Sequence, residues 1–140
     1  MTEFNSETKT LPYNQEKLYE ILSNFEYLEK IKGQIPSEKV NDMTFERDSF
    51  SLSVDPVGKV KFAITDREPS HLIQMQAEQS PIDFHLLIQL AAANENETEM
   101  KLTAKTDLNP ILKPMLSKPI QDGVNKLAQL LATIPYNSLE

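Results

Sequence analysis

An α+β fold with an antiparallel sheet is predicted from two changes of hydrophobic period along the chain. From Val40 to Asp107, apolar and polar residues alternate at period two, the mark of strands with one dry and one wet face. On either side, residues 14–33 and 109–134 carry apolar side chains at steps of three and four, the helical spacing. The connections between the alternating runs are short and rich in turn residues. They suit hairpins and are too short for parallel crossovers. The predicted order is a first strand, helices, a meander of about six strands and one long C-terminal helix.

Met1 to Leu11 reads as the first strand, around Phe4. Pro12-Tyr13-Asn14 ends it, and the Asn14 side chain is placed to accept from a free N–H at a helix start. Leu18, Ile21, Leu22 and Phe25 form the stripe of that helix. A second short helix carrying Phe25, Leu28 and Ile31 ends near Gly33, and Pro36 forbids its continuation.

The meander follows. Phe50, Leu52 and Val54 alternate with Ser49, Ser51 and Ser53, which should form a wet polar stripe. Val60, Phe62 and Ile64 alternate with Lys59, Lys61 and Thr65; Ile73, Met75 and Ala77 alternate with Gln74 and Gln76. Phe84, Leu86, Ile88 and Leu90 alternate with His85, Leu87, Gln89 and Ala91; Met100, Leu102 and Ala104 alternate with Lys101, Thr103 and Lys105. Turns fall at Asp55-Pro56-Val57-Gly58, Glu68-Pro69-Ser70, Ser80-Pro81 and Asn94-Glu95-Asn96-Glu97. The run from Val40 to Arg47 is the least regular, because Asp42, Thr44 and Glu46 share a face with Val40.

In the last segment Asn109 is a cap and Pro110 occupies the first helical position, where its missing N–H costs nothing. Leu112, Leu116, Ile120, Val124, Leu127, Leu131 and Ile134 form the apolar stripe, with Lys118, Asp122, Asn125 and Gln129 opposite. Pro114 and Pro119 fall inside and predict a bend, or a short helix followed by a longer one. Pro135 marks the stop.

A chain of 140 residues can bury a real core without metals or crosslinks. It is read as one domain, 1–140, with 139–140 set aside as vector-derived. With 21 acidic and 14 basic side chains the net charge is −7, which repels phosphate backbones and anionic membranes. No nucleic-acid partner is therefore expected. No apolar stretch reaches the roughly 20 residues of a membrane span; Leu86 to Ala93 is too short and contains Gln89, so no stable membrane insertion is expected. Residues 1–10 carry Glu3 and Glu7 and no apolar block, unlike a signal peptide. The absence of cysteine excludes disulfides, thiolate nucleophiles and cysteine zinc sites and suits a reducing compartment, so a cytoplasmic location is expected.

No constellation reaches a catalytic or metal signature, and no cofactor is expected. His71 and His85, the 2 histidines, lie on separate strands without the convergent ligands a metal needs. Asp66 with Glu68, and Glu95 with Glu97, sit among turns and charges rather than in an apolar pocket that would separate their pKa values. The serine stripe has no positioned base. Asn96-Glu97-Thr98 matches a glycosylation sequon but reads as a turn.

The element order, together with the stretch from Asp107-Leu108-Asn109-Pro110 to Ile134-Pro135-Tyr136, resembles the helix-grip superfamily of START-related and Bet v 1-like proteins. The C-terminal stretch is most similar to small bacterial members of its polyketide cyclase/dehydrase-like group. The resemblance runs from Phe4 to Ile134 and implies a curved antiparallel sheet of about seven strands wrapped around the C-terminal helix, with two short helices after the first strand. It also implies a cavity between sheet and helix. One feature departs from many plant members: the connection near Arg47-Asp48-Ser49 has no glycine, the chain holding only Gly33, Gly58 and Gly123, so no anion cradle carries over. The alternating runs are short, which implies a small cavity.

On this resemblance the sheet would offer a ligand Phe50, Leu52, Phe62, Ile64, Met75, Phe84, Leu86 and Leu102. The helix would offer Met115, Leu116, Ile120 and Val124, the first three clustered around Pro114 and Pro119, with the cavity open near Leu28, Ile31 and Pro56. The leading expectation is binding of an apolar or amphipathic small molecule or lipid rather than catalysis. Two alternatives stand beside it. One is a cyclase- or dehydratase-like enzyme using Tyr19, Tyr27 or Arg47; the other is a protein-interaction module with a filled core, docking through the outer sheet face at Leu87 and Ala91.

Overall fold

The computed structural model describes residues 1–35, 42–54, 58–80 and 82–139. Strands β1 (Thr2–Asn5) and β2 (Lys9–Leu11) both run antiparallel to β8 (Glu97–Thr106). The expected single first strand is thus split in two along one neighbour. Ser6 explains the split: its N–H donates to the Leu102 carbonyl at 2.9 Å, and its Oγ accepts from the Leu102 N–H at 2.9 Å. A side chain has taken over a ladder position, and the buried donor stays satisfied.

The Asn14 side chain accepts from the N–H groups of Glu16 (3.0 Å) and Lys17 (3.3 Å) and starts α1 (Gln15–Leu22). Asn24 accepts from the Glu26 N–H at 3.1 Å and turns the chain into α2 (Glu26–Lys30). A short 3₁₀ turn, Lys32–Gln34, follows.

The meander comprises β3 (Thr44–Glu46), β4 (Ser49–Val54), β5 (Gly58–Glu68), β6 (Leu72–Glu78), β7 (Phe84–Asn94) and β8. The sheet order is β1-β8-β7-β6-β5-β4-β3, with β2 also on β8, so its 8 strands occupy seven lanes. All pairings are antiparallel. The expected turn residues 55–57 and Pro81 lie outside the described residues, as does Val40. Gly58 resumes the chain at φ 100°, a conformation that favours glycine.

Strands β5 and β7 have 11 residues and β8 has 10, longer than their alternation suggests. A register shift between Ile64 and Asp66 resets the period of β5, and the exposed end of β7, Ala91 to Asn94, has no dry face to alternate with. The implication of a small cavity from short strands therefore does not hold. In β3, Phe45 points inward between exposed Thr44 and Glu46. Ser49 departs from the wet stripe predicted for it: it is 6% exposed, whereas Ser53 is exposed.

The inner face of the sheet and the stripe of α3 (Leu112–Thr133) form one core. Asn109 Oδ1 accepts from the Ile111 and Leu112 N–H groups, each at 2.9 Å, and so holds the turn that leads into α3. The helix itself begins at Leu112, so Pro110 lies in that turn and not at the first helical position predicted for it. Of the two outcomes predicted for the prolines, the split into a short and a longer helix does not occur: α3 runs 22 residues without interruption. Pro114 falls in the first turn, where N–H groups have no helical partner to lose; Pro119 alone lies inside. At the other end, the fully buried Tyr136 donates from its phenol to the Leu131 carbonyl at 2.6 Å and meets Tyr13 edge-on at 5.2 Å. Burial pushes the Tyr136 phenol well above its ordinary value near 10, with Tyr13 adding to the rise.

Candidate functional site: a cleft between sheet and helix

Helix α3 packs chiefly on β8, β1 and β2. On its other flank, toward β4, β5 and β7, the two layers part around a cleft of about 550 Å³. The sheet wall is built by Leu52, Phe62, Phe84 and Leu86, with Met43 beside them. The helix wall is built by Pro119, Ile120, Gly123, Val124, Leu127 and Leu130. Asp42, Ser53, Asp122 and Lys126 contribute the polar part of the lining. Phe62, Phe84 and Ile120 stay buried at 2%, 4% and 2% exposure. Behind this wall the rings run in series: Phe25 edge-on to Phe50 at 5.2 Å, Phe50 stacked on Phe62 at 5.5 Å, and Phe62 edge-on to Phe84 at 5.3 Å. These offset and edge-to-face geometries are the favourable ones for aromatic pairs.

Of the residues predicted to face a ligand, Leu52, Phe62, Phe84, Leu86, Ile120 and Val124 line this cleft. Phe50, Met75, Leu102 and Leu116 are buried in the core and are not part of its lining. Ile64 is half-buried against the core. Met115 requires correction: it is 61% exposed and faces away from the sheet, with Ile111 (77% exposed) one turn earlier. Met115 and Leu116 are successive helical residues, roughly 100° apart around the axis, so they cannot share the centre of one face. The predicted rim also moves. Leu28 and Ile31 are buried in the core at 0% and 5% exposure, and Pro56 lies outside the described residues. Sequence reasoning missed Gly123, Leu130 and the polar lining at Asp42 and Lys126. A glycine amid a strong helical stripe was the available signal.

Two other hollows are polar. One, of about 410 Å³, lies between the α1–α2 junction and the β3–β4 turn and includes Tyr27 and Arg47. Its Arg67 is committed, donating to the Ser23 carbonyl at 3.2 and 3.0 Å and to Asp48 at 2.5 Å. Tyr19 is half-buried outside that hollow; burial raises its phenol pKa, with Arg67 opposing and Asp66 assisting the rise. The other, of about 620 Å³, lies on the outer sheet face and holds Leu87 and Ala91 among Glu3, Glu99, Lys101 and Lys105. Small-molecule sites are concave and mostly apolar with a few polar groups, and the sheet–helix cleft is the hollow of that kind. Among the described residues, no three His, Asp or Glu side chains gather closely enough to hold a metal ion. His85 Nε2 instead meets Asp83 at 3.1 Å.

Neither a protein-family model nor a curated protein sequence matches this chain. Solved structures do match its fold. A START superfamily protein from Mycobacterium smegmatis superposes with a TM-score of 0.65 at 13% identity, covering 93% of this chain and 94% of the other. Norcoclaurine synthase from Thalictrum flavum, in complex with dopamine and hydroxybenzaldehyde, superposes with a TM-score of 0.64 at 10% identity, covering 91% and 86%. The Aha1 dimer from Colwellia psychrerythraea gives 0.61 at 18% identity, covering 95% and 96%. The chain has the helix-grip fold of START and Bet v 1-like proteins. Among the described residues, no helix is long and apolar enough to cross a membrane.

Proposed function

We propose that this protein binds an apolar or amphipathic small molecule in the cleft between β4, β5, β7 and α3. The observation that carries the reading is the parting of the two layers within the core, about 550 Å³ walled by apolar side chains. That volume lies inside the roughly 300–1,000 Å³ of small-molecule sites. Asp42, Asp122 and Lys126 supply a polar edge suited to the head of an amphiphile. Norcoclaurine synthase, of the same fold, holds two small aromatic molecules in its solved complex. Binding is the reading favoured over catalysis because the polar side chains Tyr19, Tyr27 and Arg47 are not among the described residues that line the cleft, and Tyr27 and Arg47 border a separate hollow. The setting we propose is the cytoplasm, on the cysteine-free composition.

Titration with 1-aminoanthracene, a neutral apolar fluorophore, tests the reading. One probe should bind per folded chain, and Leu52→Trp, which fills the cleft from a half-buried position, should weaken binding about tenfold or more. Leu116→Phe should leave binding intact if it folds, because Leu116 is not in the lining. An absence of saturable binding to the wild type would overturn the reading.

A further inference from the structure

Gly123 lies at the centre of the cleft's helix wall. Pro119 and Ile120 one turn earlier, Asp122 and Val124 on either side, and Lys126 and Leu127 one turn later all line the cleft. Helix geometry makes the residues three and four positions away its surface neighbours, and puts Asp122 and Val124 roughly 100° to either side, at the two edges of the wall. The middle of the wall is therefore bare backbone. Nothing among the described residues requires this. A Cβ built at Gly123 meets nothing within 4 Å, and the residue has ordinary helical geometry within α3. Glycine is a poorer residue than alanine in a helix interior, so the position forgoes helix stability with no packing gain among the described residues. Pro119, the other poor helix former of α3, sits four residues earlier on the same wall. A bare backbone patch facing open space is what close approach by a group from outside the chain requires.

We infer that Gly123 is the size-determining residue of the cleft, and that the ligand lays a flat apolar ring system against its backbone. The opposite wall fits such a ring, since it carries Phe62 and Phe84 held edge to face at 5.3 Å. The inference rests on the proposal that the cleft takes an apolar molecule, and it adds the shape of that molecule and the residue that selects it.

The test uses 1-aminoanthracene, a flat three-ring probe, on wild type, Gly123→Ala, Gly123→Leu and Asn125→Ala. Asn125 is exposed on the far face of α3 and controls for helix propensity. Both alanine variants should melt about 2–4 °C above wild type, from the better helix former. Asn125→Ala should bind like wild type. Gly123→Ala should bind several-fold more weakly, and Gly123→Leu at least about tenfold more weakly. A folded Gly123→Leu that binds within twofold of wild type overturns the inference. If Gly123→Leu does not fold, Gly123→Ala decides: a raised melting temperature with unchanged affinity overturns it, and so does a lowered one, since the added methyl would then be meeting the protein itself. A wild type that binds no probe overturns the cleft proposal as well, whereas equal binding by all variants overturns only the role of Gly123.

Discussion

Leu102 on β8 and Leu52 on β4 occupy the inner face of one sheet and arise from the same alternating pattern, yet their surroundings differ. Leu102 is 0% exposed, and its neighbours Met100 and Ala104 are sealed equally, because α3 and α1 pack across β8 while β1, β2 and β7 flank it in the sheet. Leu52 is half-buried and lines the cleft, because α3 inclines toward the β8 side and leaves β4 and β5 partly uncovered. One sheet thus carries a packed end that supplies stability and an open end available for binding. Burial depends on what lies across from a residue as much as on which way it points.

The sharpest test of this contrast is a pair of truncations followed by urea unfolding. Leu102→Ala should cost about 2–5 kcal/mol, since it leaves a cavity in close packing. Leu52→Ala should cost less, about 1–2 kcal/mol, because Leu52 is only partly buried and borders an existing cleft, so its removal widens open space and leaves no sealed cavity. Equal costs would mean that the cleft is closed in solution. Leu127 belongs to both regions, at 8% exposure but in the cleft wall, so Leu127→Ala should fall between them at about 2 kcal/mol. A cost under half of that would place the helix farther from the sheet.

The packed end also carries a pH signature. The Tyr136 phenol pKa is raised in the folded chain above its ordinary value near 10. The folded state therefore holds this proton more tightly than the unfolded one. The stability it contributes is intact below pH ~10 and is lost as pH rises from there through the folded value. Thermal melts should be flat with respect to this group at neutral pH and fall above about pH 10, with a shallower fall in Tyr136→Phe. At neutral pH that variant should lose about 1–3 kcal/mol, because the Leu131 carbonyl is left unpaired in the interior. The smallest effect expected is from chelators. Neither end gathers metal ligands among the described residues, so EDTA should leave the melting temperature unchanged, and a drop of several degrees would contradict this.

Much of the fold was legible because its signals are local. Asn14 announces a helix start through a short side chain that reaches the free N–H groups and caps α1, while Asn109 holds the turn that precedes α3. Period-two runs announced β4 to β8 because each strand has one dry face. The candidate site was less legible. Met115 was grouped with Leu116 on hydrophobicity, where helical phase sends it to solvent. Phe50 and Phe62 look equivalent in the sequence, but Phe62 lines the cleft while Phe50 packs behind it, between Phe25 and Phe62.

The residue pattern alone determined the class of fold, the apolar stripe of the last helix and the lack of cysteine chemistry, because periodicity, capping and composition act within a few residues of chain. Tertiary structure decided how α3 leans across the sheet, hence which inward residues are sealed at β8 and which line the cleft beside β4 and β5. That lean is set by the summed packing of side chains far apart in sequence, such as Tyr136 against Tyr13 at one end of the helix and Leu116 and Ile120 against the sheet nearer the other. No local pattern encodes it.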